Sequence, residues 1–301
     1  MADLSPFHAV VPLPRDDLGD DPVDVTANDA FHWVPLHDNG LRERMATITE
    51  WVSSARPQAM VIDVSVEVTT LVRLLGIPVV VVAMPGERTD AAHTLAYRIA
   101  DHIIAPWPAE AGEPGWLQPY RHKTTYVGGI TRFDGRTRTT GRAARTQVLA
   151  MFGAGGSTVD GAAIAQGRAA VPDAKWDVLG GSGDSWADDP WDTLCAADVV
   201  VAHAGQGSIA DIAAARTPAI LIPQERPFGE QAATAKVLAR QNLAVVRTQW
   251  PQPSEWPALI DEATRIEPQN WRRWRTEGAA GRAASVIERV ARRRSTDGAC
   301  P

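Results

Sequence analysis

The sequence predicts an α/β protein with two domains, each built on a parallel β-sheet. Short apolar runs, typical of strands buried in parallel sheets, alternate with longer segments of helical character. This alternation occurs twice, and the polar segment 133–146, rich in arginine, glycine and threonine, separates the two series. We therefore predict a first domain at residues 1–133, a linker at 134–146 and a second domain at 147–294.

The predicted elements follow this division. In the first domain, strands are predicted at residues 59–63, 78–83 and 102–104, with helices near 67–75 and 91–100. Residues 32–36 form a further candidate strand, and a helix near 41–54 follows it. In the second domain, strands are predicted at 147–152, 176–179, 198–202, 219–222 and 243–246, with a helix near 159–170.

Composition narrows the functional class. Hydrophobic residues make up 45% of the chain, no apolar run approaches the ~20 residues that span a bilayer, and the net charge of −6 argues against nucleic-acid binding. The chain has only two cysteines, Cys195 and Cys300, without disulfide or metal-ligand spacing. We therefore expect a cytoplasmic protein without a metal site or a nucleic-acid partner.

The most informative stretch runs from residue 198 to residue 231. A buried strand is followed by His203, a glycine turn and Ser208, and after the next strand Glu230 and Gln231 open a helix. Ligands of open α/β sheets bind beyond the carboxyl ends of the strands, and a helix N-terminus there suits phosphate. An alternative interpretation makes Ser208 and Asp211 a capping box, and Glu230 a first-turn acid that complements the helix dipole.

The order of these residues resembles the donor-binding signature of GT-B glycosyltransferases, and family 28 most of all. That family includes the enzyme that adds N-acetylglucosamine from a UDP-sugar to a lipid-linked peptidoglycan precursor. The resemblance implies two Rossmann-like domains around a cleft. It also implies that His203 and Ser208 face a diphosphate, that Asp211 binds the ribose, and that Glu230 and Gln231 bind the hydroxyls of the donor sugar.

A second glycine turn follows the strand at 147–152. Its glycines permit close approach to a phosphate, whereas the pattern lacks the third glycine of a dinucleotide-binding loop. The turn resembles the diphosphate-side loop of family 28, and Trp186 and Trp191 stand where relatives have the loop that stacks on the base. The alternative interpretation is that both tryptophans are core or surface aromatics. The predicted donor-binding residues are Gly153, Gly155, Gly156, Ser157, His203, Gly205, Gln206, Gly207, Ser208, Asp211, Glu230 and Gln231.

The first half departs from the GT-B pattern. Nothing before residue 59 resembles the glycine-rich, histidine-containing loop that follows the first GT-B strand, so we expect the first βαβ unit to be missing. Asp63, at the end of a predicted strand, is then the candidate catalytic base, with a helix cap as its alternative role. Residues 82–84 read Val-Ala-Met where the peptidoglycan members carry His-Glu-Gln, which argues against that acceptor.

The C-terminal segment 271–294 is strongly basic, with eight arginines and two glutamates. One interpretation is a solvated pair of helices with the tryptophans packed inward. The other is attraction to an anionic membrane surface, which lipid-linked acceptors would favour. The protein would then be peripheral at the inner face of the membrane.

Together with the family resemblance, these observations predict a metal-independent, inverting transferase. A hexosyl or N-acetylhexosaminyl group would pass from a UDP-sugar to an unidentified hydroxyl on a lipid-linked or small-molecule acceptor, with no cofactor beyond the co-substrate. A UDP-sugar hydrolase or epimerase is one alternative. The other is a non-catalytic, nucleotide-sugar-binding half of a split transferase.

Overall fold

The computed structural model describes residues 7–17, 21–138, 145–153, 155–180 and 186–292. Part of the predicted linker, residues 139–144, lies outside these ranges. The described residues form two parallel sheets covered by helices, and the predicted α/β class is confirmed.

The first sheet has the strand order β1-β2-β3-β4, with all neighbours parallel. Its strands are β1 (Met60–Asp63), β2 (Val79–Val82), β3 (His102–Ala105) and β4 (Thr124–Tyr126), and its helices are α1 (Asn39–Ala55), α2 (Val66–Leu74) and α3 (Ala91–Ile99). Ser65 and Asp90 cap α2 and α3 by accepting backbone N–H groups. The edge strand β1 leaves Val61 exposed, since no described strand pairs beyond it.

Two expectations for this half were wrong. Residues 32–36 do not form a strand, and only Leu36 pairs, in an isolated bridge with Val23. The strand β4 was missed because its Thr-Thr-Tyr sequence is not an apolar run.

The second sheet has the order β6-β5-β7-β8-β9, again parallel throughout. Its strands are β5 (Gln147–Met151), β6 (Lys175–Leu179), β7 (Val199–Ala202), β8 (Ala219–Leu221) and β9 (Val245–Val246). Its helices are α4 (Gly161–Ala170), α5 (Trp191–Ala196), α6 (Gln206–Ala215), α7 (Glu230–Arg240) and α8 (Trp256–Thr264). Successive strands depart in opposite directions from β5, so β5 and β7 form a topological switch point, where ligands of such sheets bind.

The last helix, α9 (Ala279–Arg292), returns to the first sheet. Its apolar face packs Val286 and Val290 against Val80 and Ile104. Thus α9, which the sequence assigned to the second domain, covers the first sheet. Trp271 and Trp274 are also buried, as the solvated-helix interpretation predicts.

The two halves make direct contact beside the strand ends. Gly86, with φ of +99°, approaches so closely that a Cβ there would lie 2.3 Å from the carbonyl oxygen of Phe228. The N–H of Glu87 donates to that same oxygen at 2.8 Å. A glycine is therefore required at residue 86 for the halves to meet. Among the described residues no helix is both long and apolar enough to cross a bilayer.

Candidate functional site

The switch point of the second sheet brings two predicted loops together. Gly205 precedes α6 and provides no side-chain cap, so the first amides of this helix have neither an intrahelical acceptor nor a cap. Ser208 stands in the first turn, and a Cβ on Gly153 would lie 3.7 Å from its hydroxyl oxygen. Free N–H groups and the positive end of the helix dipole thus face the glycine turn after β5.

That glycine turn is held by the neighbouring loop. The guanidinium of Arg226 donates to the carbonyl oxygen of Gly155 at 2.5 Å, and Gly156 has φ of +83°, which glycine adopts without strain. Beside this turn a cavity of about 380 Å³ is lined by residues that follow the strands of the sheet, including Thr158, His203 and Trp250.

His203 follows β7 as predicted, but both of its ring nitrogens are already engaged. Nδ1 donates to the carbonyl oxygen of Ile222 at 2.8 Å, and Nε2 accepts from the hydroxyl of Ser157 at 2.9 Å. Desolvation by burial lowers the pKa of His203, so the ring is neutral near pH 7. This arrangement corrects the expected role: His203 fixes Ser157, and it has no free N–H for a diphosphate.

Asp211 lies within α6, and its carboxylate contacts the segment after β4. The helix begins at Gln206, which puts Ser208 and Asp211 too far along it for a capping box, so that interpretation was wrong. The carboxylate of Asp211 accepts from the hydroxyl of Thr131 at 2.7 Å and from Arg132 at 3.3 Å. Burial raises the pKa of Asp211 despite these bonds. The side chain ties α6 to the segment after β4, with one donor on each carboxylate oxygen.

Glu230 and Gln231 begin α7, and their side chains differ in availability. The Gln231 side-chain oxygen accepts from the N–H groups of Ala204 and Gln224, at 3.2 and 2.9 Å, which leaves its Nε2 as the available donor. A Cβ on Gly205 would lie 3.9 Å from that Nε2. Gln231 therefore joins two loops of the sheet and aims an amide N–H at the turn after β7.

Glu230 is bound by an arginine of the first domain. Arg88, whose side chain is only 3% exposed, donates to the Glu230 carboxylate at 3.2 Å. The same guanidinium lies 4.5 Å from the ring centroid of Phe228, a residue with φ of +61°. This contact links the predicted sugar-binding acid directly to the opposite side of the cleft.

Arg88 is the first member of a hydrogen-bond relay, a chain of contacting polar side chains that the sequence did not reveal. Arg88 contacts Nε2 of His93 at 3.0 Å, and Nδ1 of His93 contacts Asp90 at 2.6 Å. The other oxygen of Asp90 contacts Nε2 of His32 at 2.9 Å. Partial burial opposes ionisation, but the bonds from His93 and His32 prevail and hold the pKa of Asp90 well below its usual range. His32 is about one-third exposed and lies 5.4 Å from Phe228, centroid to centroid.

The His32–Asp90–His93 group also has the composition of a metal site, with ligand atoms within 4.8 Å of one another. The contacts favour a hydrogen-bond relay instead. Because Arg88 can only donate, Nε2 of His93 must accept, and the proton lies on Nδ1 towards Asp90. Nδ1 therefore has no lone pair for a metal while Arg88 is in place. Desolvation by burial, with the nearby charge of Arg88, lowers the pKa of His93.

Asp63, the predicted base, ends β1 as expected. It does not cap α2, because Ser65 does. Partial desolvation raises the pKa of Asp63. The next residue, Val64, has φ of +73°, a strained conformation for a β-branched side chain.

Trp186 and Trp191, which were both predicted to lie near the nucleotide base, have different environments. Trp191 is buried against Phe133, with ring centroids 5.0 Å apart, whereas Trp186 is 52% exposed. Gln206 has a buried side-chain nitrogen without a partner among the described residues. It lines a small, mainly apolar cavity of about 120 Å³ between the two halves, together with Trp107 and Trp274.

Comparison with known proteins confirms the predicted resemblance. Residues 187–269 match the glycosyltransferase family 28 C-terminal domain. A search of curated proteins found no match to the sequence.

Solved structures with the same fold include glycosyltransferases at low sequence identity. The glycotransferase of kitacinnamycin has a TM-score of 0.63 at 17% identity, over 84% of this chain and 81% of its own. MurG of Acinetobacter baumannii has a TM-score of 0.58 at 14% identity, covering 83% and 78%. Arabidopsis thaliana UGT89C1, solved in complex with UDP, has a TM-score of 0.62 at 12% identity, covering 84% and 78%. The fold is therefore that of GT-B glycosyltransferases, and residues 187–269 carry the family 28 signature.

Proposed function

We propose that this protein is a glycosyltransferase that moves a hexosyl or N-acetylhexosaminyl group from a UDP-sugar to an acceptor hydroxyl, with inversion and without a metal ion. The observation that carries the proposal is the uncapped N-terminus of α6, which faces the glycine turn at the switch point within the family 28 domain. Such an amide cluster is suited to a diphosphate.

The donor would lie with its diphosphate against the amides of Gln206, Gly207 and Ser208 and the hydroxyl of Ser208. The glycines at 153, 155 and 156 let the backbone approach from the other side. Negative charge grows on the diphosphate as the bond to the anomeric carbon breaks, and preorganised N–H groups stabilise that charge without reorganisation. His203 would act indirectly by fixing Ser157.

The sugar would lie towards α7. Nε2 of Gln231 would donate to one hydroxyl, and the carboxylate of Glu230 would accept from another. Because Glu230 is bound to Arg88 in the structure, the sugar would share this carboxylate with the arginine. A bound sugar would therefore alter the contact of Glu230 with Arg88, which belongs to the first domain.

His32 is the base that the geometry favours for the acceptor hydroxyl. The proton on its Nε2 points to the ionised Asp90, which leaves Nδ1 as an available acceptor on a partly exposed ring. Nδ1 would take the hydroxyl proton as the oxygen bonds to the anomeric carbon and UDP departs, and Asp90 would stabilise the imidazolium. Asp63 remains the alternative base, since its raised pKa and strained neighbour are typical of functional sites.

The decisive experiment removes one amide from the α6 N-terminus. Gln206→Pro deletes that N–H at the helix position where proline is best tolerated, and Gly205 before it has a compatible ψ of 143°. Gln206→Ala is the matched control, because it removes the side chain and keeps the N–H. Calorimetry with UDP should show about a tenfold weaker affinity for the proline variant than for the alanine variant. Equal affinities would contradict the proposal.

A UDP-sugar hydrolase or epimerase is the second candidate. One observation favours it: in the described residues before β1, an irregular segment brings His32 to the strand ends, in place of the expected glycine-rich loop. Incubation with UDP-N-acetylglucosamine or UDP-glucose alone separates the two activities. Rapid turnover without acceptor would identify the hydrolase or epimerase, and donor binding without turnover under any acceptor would indicate the non-catalytic half.

We propose no lipid-inserting role for the basic C-terminal segment. Trp271, Trp274 and the apolar face of α9 are all buried against protein. Contact with an anionic membrane would therefore depend on its exposed arginines alone.

A further inference from the structure

We propose that a second cavity, away from the donor site, binds a phosphoryl group carried by a small ligand. The cavity has a volume of about 430 Å³ and is formed by residues 133–138, the end of α6 and residues 272–277. The proposed donor site lies at the other end of α6, and a helix of 10 residues is about 15 Å long. The two sites are therefore distinct.

The ionisable lining of this cavity is strongly positive. Five arginines line it, against two carboxylates from Asp134 and Glu277. The carboxylate of Asp134 is already occupied by the N–H of Gly278, at 3.0 and 3.1 Å. The arginines are Arg136, Arg138, Arg216, Arg272 and Arg275.

Two of these arginines are committed to the protein. Arg136 bonds both oxygens of Asp189, at 3.0 and 2.8 Å. Arg138 donates to carbonyl oxygens at the ends of α5 and α6, including those of Arg216 at 2.8 Å and Cys195 at 3.1 Å. These two side chains shape the wall, and we assign them no ligand contact.

The other three arginines keep most of their donors unused. Among the described residues, Arg272 makes no side-chain hydrogen bond or ion pair. Arg216 makes one long contact to a neutral amide, Gln269, at 3.4 Å, and the carboxylate paired with Arg275, that of Glu110, is 3.9 Å away. Five like charges around one cavity exceed the two carboxylates that line it, and a bound anion would relieve the remaining repulsion.

The chemistry selects a phosphoryl group. Planar guanidinium forks match phosphate oxygens in bidentate fashion, and three of them suit a dianion better than a single carboxylate. The C-terminal end of α6 is the negative end of its dipole, so the attraction comes from the arginines and not from the helix. The volume lies in the range of small-molecule sites, which fits a phosphorylated metabolite or the headgroup of a phospholipid.

The test uses the full chain and inorganic pyrophosphate, with phenylglyoxal labelling of arginines measured peptide by peptide. Because pyrophosphate also fits the proposed donor site, a readout resolved by residue keeps the two sites apart. Pyrophosphate should slow labelling of Arg216, Arg272 and Arg275 severalfold, while exposed Arg265 and Arg289 outside the cavity keep their rates. Unchanged rates in the cavity, or an equal change at the two control arginines, overturns the proposal.

Variants provide an independent readout. Arg216→Gln with Arg272→Gln should weaken pyrophosphate binding at this site about tenfold, and Arg265→Gln with Arg289→Gln, which removes the same charge, should not. Unchanged UDP affinity in the first pair would show that the loss does not come from the donor site. Equal weakening by both pairs would mean that only net charge matters and would refute the site.

Vesicle sedimentation distinguishes a phospholipid headgroup from a free phosphorylated ligand. Sedimentation with phosphatidylcholine vesicles containing phosphatidic acid, abolished by Arg216→Gln with Arg272→Gln and retained by the control pair, would identify a lipid headgroup. Pyrophosphate protection without such sedimentation would identify a free phosphorylated ligand. Failure of both arms rejects the site and leaves the proposed transferase activity untouched.

Discussion

The two sheets of this protein share one architecture but form their polar sites in different ways. The second sheet has a topological switch point at β5 and β7, and its candidate groups follow the strands within a few residues. The first sheet runs in simple order, and its polar groups arrive from separate segments, His32 from before α1 and Arg88 and Asp90 from the loop before α3.

The difference is also chemical. In the second sheet, His203 bonds a carbonyl and a hydroxyl, so it is neutral and the free positive potential comes from backbone amides. In the first sheet, His32 and His93 share an ionised carboxylate. One side of the cleft is thus suited to receive negative charge, and the other is suited to receive a proton. This difference between the two halves is the one that the proposed transfer reaction would use.

The largest effect is expected at the proposed proton acceptor. His32→Ala should lower kcat of glycosyl transfer about a hundredfold or more, with UDP affinity unchanged, because general-base assistance contributes about 10²–10⁴. Initial-rate kinetics and calorimetry measure the two quantities. A collapse of activity in Asp63→Asn, with His32→Ala still active, would transfer the role to Asp63.

The next effect is on folding. Arg88→Ala should reduce the free energy of unfolding by about 3 kcal/mol, since it leaves Glu230 without its partner and removes a buried guanidinium. Urea denaturation provides the measurement. Arg98→Ala, an exposed arginine on α3, is the control and should change stability by less than about 0.5 kcal/mol. Similar losses for the two variants would show that the contact between the halves contributes little.

Glu230→Ala should weaken binding of the sugar and leave binding of the nucleotide nearly unchanged. We expect about a tenfold loss of affinity for a UDP-sugar and little change for UDP, because only the sugar would use this carboxylate. Calorimetry with both ligands tests this expectation. An equal loss for both would reassign Glu230 to helix α7 and to the pair with Arg88.

His203→Ala should have a smaller effect than a direct ligand would. Because the imidazole reaches the donor site only through Ser157, we expect UDP binding to weaken by about 1 kcal/mol. Ser157→Ala should weaken binding by a similar amount, and the double variant should lose no more than either single one. Additive losses would mean that His203 contacts the ligand itself.

The smallest expected effect is a dependence of stability on pH. The folded-state pKa of Asp90 is depressed, so its contribution is complete above the unfolded pKa of about 3.9 and is lost as the pH falls below it. Asp90→Asn, which keeps a good N-cap residue, should cost about 1 kcal/mol at pH 7, after allowance for the one-third exposure of the carboxylate, and nothing at low pH. Equal losses at both pH values would exclude an ionised Asp90.

The sequence by itself determined the α/β class, nearly all strands of both sheets, and the glycine turns with His203, Ser208, Glu230 and Gln231 at the strand ends. It could do so because these features are local: apolar runs form strands, and turns follow them. Only the tertiary structure decided that the side chains of His203 and Gln231 form hydrogen bonds with neighbouring loops and that Asp211 accepts one from Thr131. Hydrogen-bond partners depend on which segments fold next to a residue, and the sequence alone does not give that. The relay from His32 to Glu230 joins residues separated by nearly two hundred positions, and no periodicity or spacing in the chain encodes their meeting.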